Sequence, residues 1–262
     1  MGGRFRRLEF DRQAQSDAKR ATEYGEAVRD TNYFFLQAEQ ARMWGDHERA
    51  LRMYTRTLTE DRSRVVAWVG QVQMLVQLEE CREGRLWADK ALEIFPNNGE
   101  LLAAKAQSCI RMGDDRVAMA CTDGSLSCSG SSAWRWIVRG EVLLARKQGH
   151  HRDCFERAAT ETDFGWFDHL IIAEVLAHYH HPAAALQNVQ SAIAMQPGHG
   201  YGWFVQGQYQ QMLGWMAAAA DSFKHCLEIA PEYRPAQLAF EQLAGEPIIN
   251  RVFRWLKFRK YR

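Results

Sequence analysis

Apolar and small residues fall on a recurring grid along this chain. In the stretch 201–231, Trp203 is followed by Gly207, Gly214, Ala219, Phe223 and Pro231. A step of 34 residues toward the N-terminus lands on Ala173, Ala185, Val189 and Pro197, with Ala192 between the last two. The series returns as Trp68, Val72, Leu75, Gly84, Ala88, Ala91 and Pro96, and earlier still as Phe34, Ala38, Gly45, Ala50 and Tyr54. Past the last copy, Pro235 is placed to start a helix carrying Leu238 and Leu243, and Pro247 to start another. In that second helix Ile248, Ile249, Val252, Phe253, Trp255 and Leu256 share one face, while Arg251, Arg254 and Lys257 take the other. Arg259 and Lys260 break the apolar arc, so the final residues read as free. Ahead of the grid, Ala14, Ala18, Ala21 and Val28 have helical spacing.

The grid resembles the tetratricopeptide repeat (TPR) family, whose unit is a 34-residue helix–turn–helix with small, aromatic and proline positions in this order. The resemblance implies an all-α, right-handed superhelical solenoid. Units fall at 31–64, 65–98, 99–132, 133–165, 166–199 and 200–233, preceded by a basic leading segment at 1–30 and followed at 234–262 by a capping helix and the basic amphipathic helix. Side-chain physics agrees with that layout. Small residues at Ala38/Ala50, Ala173/Ala185 and Gly207/Ala219 let two helices cross closely, and Tyr54, Val189 and Phe223 fill the gap a turn later. Gly45, Gly113 and Gly214 allow a tight turn between helices, and Pro96, Pro197 and Pro231 stop the second helix. The third copy is eroded, with Leu102, Cys109 and Thr122 in aromatic slots. The fourth is one residue short between Gly140 and Phe155.

By the same resemblance, the first helix of each unit lines a concave surface. Its ninth position reads Glu39, Gln73, Gln107, Glu141, Glu174 and Gln208, a column of carboxylates and carboxamides. The second and fifth positions are mostly apolar from the second copy on: Val66 and Val69, Trp134 and Ile137, Phe167 and Leu170, Tyr201 and Phe204. These residues form the expected partner-binding groove, an apolar trough with a polar spine suited to an extended peptide or an amphipathic helix. Packing of the same aromatic residues between neighbouring repeats is the alternative. Arg42 and Arg111 are the exceptions to a near absence of groove cations, which argues against a clamp for a C-terminal carboxylate.

Composition adds less. The chain is 47% apolar and 25% charged, ordinary for a soluble fold with ample core. Both ends are basic and the body mildly acidic, so attraction to anionic partners sits at the ends. No phosphate-binding glycine loop, HExxH or GxSxG motif occurs. The segment "CTDGSLSCSGSS" at 121–132 has no histidine near it to activate a nucleophile. Histidines crowd 150–199 in "GHHRDC" and "HYHHP", equivalent turns of adjacent units, but exposed turns tolerate histidine without a metal. The cysteines lack zinc spacing and read as core fillers of a reducing compartment. The start "MGGRFRRLEFDRQ" has no apolar signal region, and Arg6 stands where a myristoylation motif needs Ser or Thr.

The expectation is therefore a non-catalytic, cytoplasmic adaptor with neither cofactor nor metal, holding a protein segment in its groove within a larger assembly. A second arrangement stays open: a membrane-peripheral assembly factor held on an anionic surface by Arg251, Arg254, Lys257, Arg259, Lys260 and Arg262. The same tail could instead cap the solenoid or dock on another macromolecule. Nucleic acid is disfavoured, because only the two ends could track phosphates.

Overall fold

A computed structural model describes residues 31–245. Among these residues thirteen α-helices follow one another, and they pair as hairpins. The pairs are α1 (Thr31–Met43) with α2 (His47–Glu60), α3 (Val65–Gln77) with α4 (Cys81–Ile94), and α5 (Gly99–Arg111) with α6 (Asp115–Ser127). They continue as α7 (Ala133–Ala145) with α8 (His151–Ala158), α9 (Trp166–His178) with α10 (Pro182–Met195), and α11 (Gly200–Met212) with α12 (Met216–Ile229). A last helix, α13 (Arg234–Gly245), packs on α12. The leading segment 1–30 and the tail that carries the six basic residues lie outside the described residues.

Every hairpin turn is built the same way. Two residues past the first helix, the backbone takes a positive φ: Gly45 at 69°, Glu79 at 63°, Gly113 at 80°, Lys147 at 57°, His180 at 65° and Gly214 at 82°. The residue after each one returns its N–H to a carbonyl five positions back, as Asp46 to Ala41 at 2.9 Å and His181 to Leu176 at 2.8 Å. This is the Schellman motif, which satisfies the orphan carbonyls at a helix end. The spacing of these turns is 34 residues except from Lys147 to His180, where it is one shorter. In that shorter unit, α8 has only eight residues and no side-chain cap.

Within the pairs, an aromatic ring from the second helix lies against a small residue on a first helix. Phe223 covers Gly207 and Phe155 covers Gly140 so closely that an added Cβ would collide with either ring. Tyr54 of α2 presses in the same way on Gly70 of the following pair. The core forms two large clusters that both draw on α7, and first helices touch their counterparts: α3 with α5, α5 with α7, α7 with α9.

The two ends of the described array also meet. The α1–α2 turn inserts Trp44 between the rings of His199, 4.5 Å away, and Tyr233, 5.2 Å away. His199 stacks in turn on Trp166 at 4.6 Å. Beside them the α-carbon of Gly45 abuts the Tyr201 ring, leaving no room for a Cβ.

Candidate functional site

Contacts between elements far apart in sequence identify the inner side of the array. Gln77 at the end of α3 reaches Glu174 on α9, and Arg42 near the end of α1 lies 4.8 Å over the Phe167 ring, also on α9. The first helices therefore face one another across a shared interior.

The column of acids and amides lines that interior, and most of it is bonded within the chain. Glu39 accepts from the Tyr54 hydroxyl and pairs with Arg42 at 3.0 Å. Arg42 also donates to Gln73 at 3.3 Å, which links the first two hairpins. Gln107 donates to Glu141 at 2.9 Å, and fully buried Glu141 pairs with the Arg111 guanidinium. Glu174 accepts from the Gln77 amide at 2.9 Å and from the Tyr201 hydroxyl. Gln208 alone of the column is exposed.

The apolar positions differ from the expected trough. Val69, Trp134, Ile137, Leu170, Tyr201 and Phe204 are buried, and Phe167 is half-covered by Arg42. Only Val66 among them stands in solvent. The cause is mainly packing between neighbouring hairpins, the alternative use of these positions, and for Tyr201 and Phe167 also contact with the first hairpin. Phe204, for instance, stands 5.3 Å edge-on from Tyr233 and 5.8 Å from Phe223.

What remains of the groove is a cavity of about 410 Å³. Gly45 and His47 bound it on the first hairpin, Val76, Gln77 and Glu79 on the second, and Arg111 on the third. Glu174 and His178 come from α9, and Tyr201, Phe204, Val205, Gln208 and Tyr209 from α11, with Tyr233 and Pro235 closing the far end. Burial raises the Glu174 carboxyl to about 7, against the opposing fields of Arg111 and Arg42 and the bonds from Gln77 and Tyr201. Burial also lowers the imidazoles of His47 and His178, the latter helped by Arg111, and this favours their neutral forms. Gln77, Arg111 and His178 stand thirteenth in their units, four residues past the polar column, so the helical period puts them on the same face. Trp44, His199 and Tyr233 have no such local signal.

The other segments with candidate chemistry are structural. Arg135, itself buried, donates to the carbonyls of Ser125, Gly130 at 2.7 Å and Cys128 at 3.2 Å, stitching the 121–132 segment to α7. Burial pushes up the thiols of Cys81, Cys109, Cys121, Cys154 and Cys226, away from the reactive thiolate. In the "GHHRDC" turn His150 pairs with Asp153 at 2.9 Å, and no group of three or more metal-ligating side chains gathers among the described residues. No described helix is long and apolar enough to cross a membrane.

Solved structures resemble this arrangement. The APC/C hetero-tetramer Cut9–Hcn1 superposes with a TM-score of 0.61 at 11% identity over 88% of the chain, which spans 46% of that protein's length. A tetratricopeptide repeat protein from Parabacteroides merdae ATCC 43184 gives 0.51 at 13% identity, over 88% of this chain and 91% of its own. No protein-family model and no curated protein sequence matches the chain.

Proposed function

We propose that this right-handed tetratricopeptide-repeat solenoid is a non-catalytic interaction scaffold, and that it receives a segment of a partner protein at the cavity on its inner face. The observation that carries this reading is the cavity itself. It is large enough for side chains of a partner and is lined from five hairpins at once, with rings for apolar contact and exposed Gln208 at its edge. Such mixed, concave sites are where ligands gain burial and orientation together. Of the trough rings, Tyr201 and Phe204 line the cavity and are available to a partner, while Trp134 is buried outside it. A self-bonded polar interior also fits a scaffold better than a catalyst, since its strongest charges are already paired.

Peptide-display selection on the full-length chain tests this. Selected peptides should lose affinity for Gln208→Trp, which fills the cavity from an exposed position. They should bind unchanged to Leu86→Glu, a substitution at an exposed site on α4. The opposite pattern would move the binding surface off the inner face and end the proposal.

A further inference from the structure

The cavity holds a carboxyl with no ion-pair partner, which an incoming cation would ionise. Of the carboxylates inside the array, Glu39 is matched by Arg42 and Glu141 by Arg111. Glu174 has no ion-pair partner: it bonds the Gln77 amide and the Tyr201 hydroxyl, feels Arg111 and Arg42 only through space, and lines the cavity. Arg111 is the cation nearest at hand among the lining residues, and its guanidinium is committed to Glu141. Around Glu174 the wall is aromatic, with Tyr201 and Tyr209 from α11 and Tyr233 beyond them. A carboxylate among aromatic rings can receive ammonium and guanidinium groups, because the acid supplies the counter-charge and a ring attracts a cation that reaches its face.

Building on the scaffold reading, we propose that the cavity takes one basic side chain of the partner, a lysine or arginine, with Glu174 as its counter-ion. The geometry supplies a reason for selectivity. An acidic side chain would meet Glu174 and Glu79 and find Arg111 already spent, so it is repelled; an apolar one would leave the carboxylate buried without gain. Gln208 at the exposed edge is placed to bond the backbone that carries the incoming side chain.

The test uses the full chain and blocked tripeptides Gly-X-Gly, with X arginine, lysine, norleucine or glutamate. The methyl resonances of Val76 and Val205, both lining the cavity, report occupancy by NMR. Arginine or lysine tripeptide should shift both methyls saturably, and norleucine and glutamate should bind roughly ten-fold or more weakly. Glu174→Gln, nearly isosteric, should erase the preference while the helical circular dichroism stays intact. Gln208→Arg, made at an exposed position, should compete by bringing the chain's own guanidinium to the cavity. The idea is lost if norleucine or glutamate binds as well as the basic peptides, if Glu174→Gln binds arginine tripeptide unchanged, or if no tripeptide moves the methyls. A preference for apolar or acidic probes would sink the basic anchor and leave the scaffold standing. Display-selected peptides that ignore Gln208→Trp would remove the scaffold reading as well.

Discussion

The phenolic O–H of Tyr233 donates to the backbone carbonyl of Trp44 at 2.8 Å, joining positions 189 residues apart. The bond ties the first hairpin turn of the described array to the residue just before its last helix. Around it Trp44, His199 and Trp166 form a stacked seam, and Gly45 sits flush on Tyr201.

Two substitutions separate the bond from the seam. Tyr233→Phe removes one hydrogen bond and should cost about 1 kcal/mol in chemical denaturation, with the radius of gyration unchanged. Trp44→Ala removes the wedge itself and should cost roughly 3 kcal/mol, and small-angle scattering should report a larger radius of gyration. A compact Trp44→Ala protein would mean that curvature comes from the inter-hairpin packing alone, with the seam a passive contact.

The left-handed turn positions offer a gain instead of a loss. Lys147 and His180 hold φ values of 57° and 65°, where a Cβ is strained and glycine is not. Lys147→Gly and His180→Gly should each stabilise the fold by about 0.5–1 kcal/mol, seen as a higher denaturation midpoint. Both side chains are exposed, so little packing is lost. A lower midpoint for both would show that the flexibility glycine adds to the unfolded chain outweighs the strain it relieves.

Glu174 should make stability fall as pH rises. Burial raises its folded-state carboxyl to about 7 from the ordinary value of 4.5, so the folded chain holds the proton more tightly than the unfolded one. The penalty is absent below the unfolded value, grows as pH climbs between the two, and is complete above the folded value. Glu174→Gln should therefore be more stable than the parent at pH 8 by on the order of 1–3 kcal/mol, with the gap closing toward pH 5. Arg111, Arg42, Tyr201 and Tyr209, which act on this carboxyl, keep their charge states across that window, and His47 and His178 of the same cavity are common to parent and variant. Parallel stability profiles for parent and variant would mean that Glu174 is not the group being desolvated.

Much of the fold was legible because repeat physics is local. Gly207 against Phe223 and the three glycine turns follow from contacts within one or two helices, so spacing alone locates them. The remaining turns were harder to read, since Glu79, Lys147 and His180 adopt the glycine conformation without being glycine. The polar column could be recognised as inward-facing from its position in each unit. Its internal pairing, Glu141 with Arg111 and Glu174 with Gln77, depends on how tightly successive hairpins rotate. Phe204 is buried by its own and the next hairpin, but the contact of Tyr201 with Gly45 depends on that rotation summed over the described array. No window of sequence contains it, which is why a long open trough is expected and a smaller, half-open cavity is found.

An open stack of repeats is a line: each unit answers to its two neighbours, and a unit added or deleted only changes the length. Where Trp44 meets His199 and Tyr233, the first and last described hairpins of that line come together, and a loop has an arithmetic of its own. The turns must sum to the angle that brings residue 44 to residue 233, so the one-residue shortening in the fourth hairpin belongs to a closure condition shared by all the others. Duplication or loss of a whole repeat, harmless to an open solenoid, would here leave the ends out of phase. Among the described residues, an inserted or deleted hairpin would need a compensating change elsewhere for Tyr233 to keep its bond to Trp44.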